Sequence, residues 1–320
     1  MRPLRLAFFL AACFAFGTAR AEWPDRAVKI VAPFAPGGSA DTLGRLVAAQ
    51  LQERLKQSFI VENKPGAGGS VGSELVAKAE PDGYTFVVSG IASHVIAPNL
   101  PHGTPYDPMR DFTHVALFGG PPAVFAVNPD LPAKTLKDFI ALAKSQPGKL
   151  TYGSPGNGTQ GQLVAELFKR EAGINLVHVP YKGASAAVAD LMGGQISSVS
   201  TTLTTASGQI KGGKAHALAL SSAKRLPDYP DIPTFAEQGY PNIIGTVWFS
   251  LSGPAGLPAD VVNKLNAEVR EALKSHAVHD RLRHDGIEPN DLDAKQFTAF
   301  VAEEVKRWAP IVKASGAKND

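Results

Sequence analysis

Cysteine is almost absent from this sequence. The one cysteine in 320 residues, Cys13, stands in an N-terminal segment where Arg2 and Arg5 precede an apolar run over 6–16. Ala19-Arg20-Ala21 then places small residues where a signal peptidase needs them, so residues 1–21 read as a secretory signal cleaved before Glu22. A rival reading takes Leu10-Ala11-Ala12-Cys13 as a lipobox and Cys13 as a lipid anchor. After cleavage at Ala21 the chain has no disulfide, no thiolate metal site and no cysteine nucleophile. That fits an oxidising compartment such as a periplasm.

An excess of charge of one sign is missing too. The whole chain carries 32 Lys+Arg against 29 Asp+Glu, a net charge of +3, and its pI is 8.8. Three of the arginines and none of the acids lie in residues 1–21, so the mature chain has 29 of each and a net charge of zero. It has no bulk basic field with which to hold nucleic acid. Beyond residue 21 no stretch approaches the ~20 apolar residues of a membrane span. Catalytic signatures are also absent: there is no GxxxxGK[ST], no HExxH and no GxSxG. The eight histidines show no metal-ligand spacing, and His178, in an apolar strand, reads as a core residue. No metal and no cofactor is expected.

What the chain does have is a repeated strand, glycine turn and helix. The first copy runs from the apolar Lys29-Ile30-Val31-Ala32 through Gly37-Gly38 to a helix with Leu43, Leu46, Val47, Leu51 and Leu55 at helical spacing, and Ser39 is expected to cap it. A second joins strand 58–62 (SFIVE) to the glycine turn 65–70 and a helix over 71–79. A third joins strand 84–88 (YTFVV) to the small-residue turn 89–93 (SGIAS) and a short helix ending near Pro98. This is the βαβ pattern of an open, mostly parallel sheet, whose ligands lie beyond the carboxyl ends of the strands. Helix N-termini there aim N–H groups and a positive dipole end at that space, which suits an anion.

The stretch 118–130 (FGGPPAVFAVNPD) reads as a crossing into a second domain. That domain opens with a proline-capped helix over 135–145 and repeats the first unit's design. Strand 150–152 leads into Gly153-Ser154-Pro155-Gly156-Asn157-Gly158-Thr159-Gln160 and a helix with Leu163, Val164, Leu167 and Phe168 on one face. Asn157 or Thr159 is its expected cap. Strand 176–179, helix 184–192, strand 196–199 running into the hydroxyl-rich Ser200-Thr201-Thr202, and strand 217–220 follow. Residues 246–250 (TVWFS) with Gly253-Pro254-Ala255-Gly256 read as the return crossing. Two amphipathic helices close the chain; the second, with Phe297, Phe300, Val301, Val305 and Trp308, is expected to pack on the first domain. The division is 22–123 with 246–320 for domain 1 and 124–245 for domain 2. A chain that leaves one α/β domain, builds another and returns is bilobed, with its ligand between the lobes.

Gly156 to Gly161 matches GxGxxG, but the place for the acidic residue of a dinucleotide site holds Val179-Pro180-Tyr181-Lys182. A tight turn that admits an anion explains those glycines better. Asp41, in the first turn of its helix, suits dipole complementation and loop orientation more simply than catalysis.

In this order the chain carries Phe34-Ala35-Pro36-Gly37-Gly38-Ser39-Ala40-Asp41, Glu62-Asn63-Lys64-Pro65-Gly66-Ala67-Gly68-Gly69, Pro81-Asp82-Gly83-Tyr84, Gly156-Asn157-Gly158, Val179-Pro180-Tyr181-Lys182-Gly183 and Pro254-Ala255-Gly256. With these motifs it resembles the extracytoplasmic solute receptors of tripartite tricarboxylate transporters, the Bug-type receptors, over about residues 23–311. The resemblance implies an α/β, two-lobed periplasmic-binding-protein fold of the Venus-flytrap, type II-like kind, with two hinge crossings. It implies a monomeric, non-enzymatic receptor that captures a di- or tricarboxylate or an aromatic acid and passes it to a two-component membrane permease.

The carboxylate grip implied by the resemblance consists of the loop after the first strand, Phe34, Ala35, Gly37, Gly38, Ser39, Ala40 and Asp41, and of Ser154, Asn157, Gly158, Thr159 and Gln160 in the other lobe. Ser89, Ser93, Thr201 and Thr202 are expected to select among ligands. Where the family often has a Phe-Asp pair this chain has Ser200-Thr201, and Ser197 replaces a common Asp. Fewer acids near the cleft argue for an uncharged-side or dicarboxylic acid over an α-amino acid. The competing readings are a secreted hydrolase or isomerase using Asp41 or a cleft serine, and a binding protein that serves a sensor.

Overall fold

A computed structural model describes residues 22–287 and 290–317; the expected signal segment lies outside the described residues. Five strands form the sheet of lobe 1: β1 (Val28–Ala32), β2 (Phe59–Asn63), β3 (Thr85–Gly90), β4 (Phe112–Gly119) and β10 (Phe249–Pro254), in the order β2-β1-β3-β10-β4. Lobe 2 is built on β5 (Ala123–Val127), β6 (Thr151–Ser154), β7 (Val177–Pro180), β8 (Ser198–Thr202) and β9 (His216–Leu220), in the order β7-β6-β8-β5-β9. Helices α1 (Ser39–Leu55), α2 (Ser70–Ala77), α7 (Ala259–Lys274), α8 (His276–His284) and α9 (Ala294–Ser315) belong to the first half and the tail; α3 (Leu136–Ser145), α4 (Gln160–Ala172), α5 (Ala184–Met192) and α6 (Leu203–Lys211) belong to the second half.

Both sheets are mixed and, as expected, mostly parallel: in each, four of the five strands run one way and one is reversed. β1 pairs parallel with β2 and β3, and β6 with β7 and β8, as βαβ units require. β10 runs antiparallel to β3 and β4, and β5 antiparallel to β8 and β9. The reversed strands are the ones that follow the crossings, since a chain arriving from the other lobe enters the sheet from its far side. The two crossings touch one another. Pro122 bridges Thr246, Val247 N donates to Pro121 O at 2.7 Å, and a Cβ on Gly120 would lie 2.4 Å from Trp248 Cα, so only glycine lets them run side by side.

β5 shows how the core is shared. Phe125 and Val127 face the aromatic cluster of Phe139 and Phe168, whereas Val124 and Ala126 face Leu191, Val199 and Leu203 on the opposite side of the sheet. The capping of α3 differs from expectation: Thr135 and Asp138 form a reciprocal capping box, so the hydroxyl and not a proline begins the helix. α9 packs on β4 as expected, and it also touches α4, with Arg170 Nη1 donating to Ala314 O. The tail thus spans both lobes. Within it Glu304, buried, accepts from the indoles of Trp248 at 3.0 Å and Trp308 at 3.1 Å and pairs with Arg307, tying the return crossing to the last helix.

Candidate functional site

A cavity lies at the carboxyl ends of β1, β3, β6 and β8, between the lobes. Lobe 1 supplies Phe34, Gly38, Ser39 and Ala40 from the first strand–helix turn, and Ile91 to Ser93 from the turn after β3. Lobe 2 supplies Pro155, Thr159, Gln160 and Gly161, with Ala184 at the start of α5 and Thr202 at the end of β8. Val247 and Phe249 close it on the hinge side. The N-termini of α1, α4 and α5 therefore all reach its wall.

The lobes are shut on this cavity. Ser39 Oγ lies 2.6 Å from Thr202 Oγ1 and 3.2 Å from Thr205 Oγ1. Ala35 N donates to Lys182 O at 3.2 Å, and Ser185 Oγ donates to Pro36 O at 2.9 Å. The space open to the centre of a water molecule is about 40 Å³. That is room for about three waters at ~10–15 Å³ each.

Eight of the sixteen expected site residues line the cavity: Phe34, Gly38, Ser39, Ala40, Ser93, Thr159, Gln160 and Thr202. The other eight support it or lie apart. Asp41 is buried behind the loop, where its carboxylate accepts from Gly37 N at 3.0 Å, Asn63 Nδ2 at 3.0 Å and Arg45 Nε at 2.9 Å. Burial pushes its pKa up, but the hydrogen bonds from Arg45, Gly37 and Asn63 outweigh it and hold the carboxyl below its ordinary value. It is a charged staple for the loop, and Gly37 and Ala35 belong to that stapled turn.

Ser89 points into the sheet, 2.7 Å from both Ser250 Oγ and Ser252 Oγ. Thr201 is buried in β8 and points away from Thr202, as alternate strand residues must. Ser200-Thr201-Thr202 is strand and not turn. Ser197 lies at the opposite end of β8, roughly 16 Å from Thr202 at ~3.3 Å per residue, too far to bear on the ligand.

Ser154 Oγ sits 2.7 Å from His178 Nε2, a serine–histidine contact of catalytic appearance. Ser154 is fully buried, is not among the residues lining the interlobe cavity and also bonds Gly156, so the contact fixes the second turn. Asn157 and Gly158 lie one turn out from the wall, with Gly158 N donating to Gln162 Oε1 at 2.9 Å.

The caps divide differently from expectation. Ser39 is the first helical residue of α1; Gly38 is its N-cap and offers no side chain. The Ser39 hydroxyl reaches across the cleft to the other lobe, which no local signal could reveal. Thr159 caps α4 as expected. Next to it Gln160 lines the cavity, and its amide is buried with neither Oε1 nor Nε2 hydrogen-bonded, Nε2 standing 2.8 Å from where a Cβ on Gly245 would lie. Buried amides without partners are rare and costly. Sequence reading missed Ala184, Val247 and Phe249. The glycine before Ala184, an uncapped N-cap, was the available hint for the first.

Among the described residues no cluster of three His, Asp or Glu could hold a metal, and no helix is long and apolar enough to cross a membrane. Fold and site define a two-lobed solute-binding protein with an interlobe cleft. The family model of the tripartite tricarboxylate transporter family receptor matches residues 43–317, and the chain belongs to that family. BugT of Bordetella pertussis is 35% identical over 92% of this chain and 91% of its own. Two solved structures are similar throughout. Rpa4515 of R. palustris with adipate is 34% identical at a TM-score of 0.90, over 93% of this chain and 99% of that one. MatC of Rhodopseudomonas palustris with bound malate is 33% identical at 0.86, over 91% and 100%. The periplasmic binding protein BugD, 32% identical at 0.87 over 92% and 99%, shares the fold.

Proposed function

We propose that this protein is a monomeric periplasmic receptor, exported by its N-terminal signal, that closes on a small carboxylate and delivers it to the membrane permease of a tripartite transporter. It performs no chemistry on the ligand. The observation that carries this reading is the closed interlobe cavity walled by the N-termini of α1, α4 and α5, of which that of α1 is capped by no side chain. The positive end of α1 suits a carboxylate, and the Ser39 and Thr202 hydroxyls, one from each lobe, can donate to the same anion. Relatives crystallised with adipate and with malate support the ligand class.

The magnitudes suffice. Micromolar binding requires about 8 kcal/mol. Hydrogen bonds to a charged group contribute ~1.5–3 kcal/mol each, so about four from two lobes exceed the requirement before the cost of immobilisation. Because no single lobe offers them all, full binding requires closure, and closure is what a permease can sense.

Titration calorimetry with C4 to C8 dicarboxylates, tricarboxylates, aromatic acids and acidic amino acids tests the reading. At least one non-amino acid is expected to bind in the micromolar range or tighter, and Ser39→Ala to weaken it by about tenfold or more, the ~1.5–3 kcal/mol of a charged hydrogen bond. Tighter binding of aspartate or glutamate than of every other acid overturns the ligand class. Product formed from the bound acid overturns the receptor reading.

A further inference from the structure

Among the residues that line the interlobe cavity, Gln160 alone has buried side-chain polar atoms without a hydrogen bond, and both ends of its amide are in that state. We propose that this amide is an opening spring. Closing the lobes strips it of water and gives it no partner, so the empty receptor favours the open form and the ligand must supply the free energy of closure. The inference rests on the reading of the protein as a receptor that closes on its ligand, and it adds what opens the cleft again.

The surroundings explain why the amide is unpaired. A Cβ on Gly245 would stand 2.8 Å from Gln160 Nε2 and 3.2 and 3.3 Å from Cζ2 and Cη2 of Trp308, so the amide, the backbone entering the return crossing and the indole meet at one point. Each neighbour is already engaged. Gly245 N donates to Ser221 O at 2.9 Å, Gly245 O accepts from Ser221 Oγ at 2.7 Å, and the indole of Trp308 donates to Glu304 at 3.1 Å. Those bonds fix Gly245 to lobe 2, at the end of β9. Trp308 belongs to α9, which packs on β4 of lobe 1. The amide is thus covered in part by a group anchored on the other side of the cleft, and separating the lobes uncovers it. Water that fills the opened cleft reaches Gln160, because the residue lines the cavity.

The spring works against the ties that shut the empty cleft, the contact of Ser39 with Thr202 and the bond from Ser185 to Pro36 O. A hydrogen bond between neutral groups and an amide buried without one carry free energies of one order and opposite effect, so a few ties do not hold the cleft shut by themselves. A ligand that adds contacts to both lobes tips that balance, and its loss restores it. An amide that donated to the ligand would act with the opposite sign: deleting it would weaken binding, whereas relieving a spring strengthens it.

The test compares wild type with Gln160→Met and Gln160→Leu, two apolar side chains of different shape, so that agreement between them separates the loss of polar atoms from a change of packing. Each protein is freed of ligand by unfolding in guanidinium and refolding, then measured by small-angle scattering, and adipate and malate are titrated by calorimetry. Both variants are expected to give the empty protein a smaller radius of gyration than wild type. Both are expected to bind the better of the two acids at least fivefold more tightly, which corresponds to ~1 kcal/mol. Equal radii for wild type and both variants overturn the spring. Weaker binding by both variants also overturns it and makes the amide a donor to the ligand. If neither acid binds wild type, the radii alone decide the spring, and that failure counts against the carboxylate reading and not against this inference.

Discussion

The two jaws of the cleft have one design and opposite finishing. In lobe 1, β1 leads through Phe34–Gly38 to α1, whose N-cap is a glycine, and the turn is fixed from behind by the buried Asp41 carboxylate. In lobe 2, β6 leads through Ser154–Thr159 to α4, and the turn ties itself up: Thr159 caps the helix, Thr159 Oγ1 donates to Gly156 O at 2.7 Å, and Gln162 binds back to Gly158. The first jaw therefore presents bare backbone and helix dipole to the cavity. The second has used much of its backbone internally and brings the Thr202 hydroxyl to the cavity from the end of β8. A strand–glycine–helix unit is an anion site only when its cap is left open, so the repeated pattern alone does not assign equal roles.

The jaws also differ in what stands behind them. Ser93, on the cavity wall of lobe 1, contacts His94 Nδ1 at 3.0 Å; His94 is fully buried against Phe112, Tyr106 and His114, and its Nε2 has no hydrogen-bond partner. Burial, with the neighbouring His114, pushes His94 well below its ordinary 6.5, and burial lowers His114 to about 4. In lobe 2 the corresponding Ser154–His178 contact is only half buried. The largest effect expected of the buried pair in lobe 1 is thus acid sensitivity. The unfolded chain protonates these histidines near 6.5, whereas the fold keeps them neutral to much lower pH. Stability is then complete above pH 6.5 and is lost as pH falls from there toward 4. For His114 alone the loss is about 3 kcal/mol at ~1.4 kcal/mol per pKa unit. Denaturant melts from pH 7.5 to 4 check this, and His114→Gln is expected to flatten the profile by half or more. An unchanged slope in that variant would mean that acid acts elsewhere.

The second effect comes from keeping the jaws apart. Gly68→Ala places a methyl group against Asn157 O, a backbone atom that yields only if the lobes separate. Ligand affinity is expected to fall by about a hundredfold, or ~3 kcal/mol, because the closed form alone unites the contacts. Unliganded stability should fall by no more than the ~1–2 kcal/mol that a left-handed alanine costs. Wild-type affinity in this variant would show that one jaw suffices.

How much of this was legible in the sequence follows the same division. Local chemistry showed through: the strand runs, the glycine turns, the Thr159 cap and the exact bounds of α5 follow from periodicity and turn residues, and the ordered motifs pointed to the family. Strand β4, whose FTHVALFG pattern is buried on both faces, and the short α8 gave no comparable signal. Side-chain direction was the larger loss. Ser89 and Thr201 lie at the right height in their strands but face into the protein, because one residue of register decides which face a side chain takes. Contacts between lobes were invisible for a different reason. Ser39 and Thr202 are 163 residues apart, and nothing local to either announces the other.

That hydroxyl contact yields the smallest and most discriminating test. Ser39, Thr202 and Thr205 form a triangle across the cleft at 2.6, 3.2 and 3.0 Å, so each hydroxyl can serve its neighbours when the cleft is empty and a carboxylate when it is filled. Thr202→Val keeps the shape and deletes one vertex, while Ser39 retains Thr205. The expected loss is about 1 kcal/mol, or roughly fivefold in affinity, as for an ordinary hydrogen bond. Small-angle scattering of the unliganded variant should show a larger radius of gyration, because closure without ligand has lost a tie. The two readouts separate the roles of the contact. A more open empty protein with unchanged affinity would assign the triangle to closure alone and leave the ligand to the helix N-termini. A weakened affinity with unchanged opening would make Thr202 a second such contact, and the two jaws would then be more alike than their caps imply.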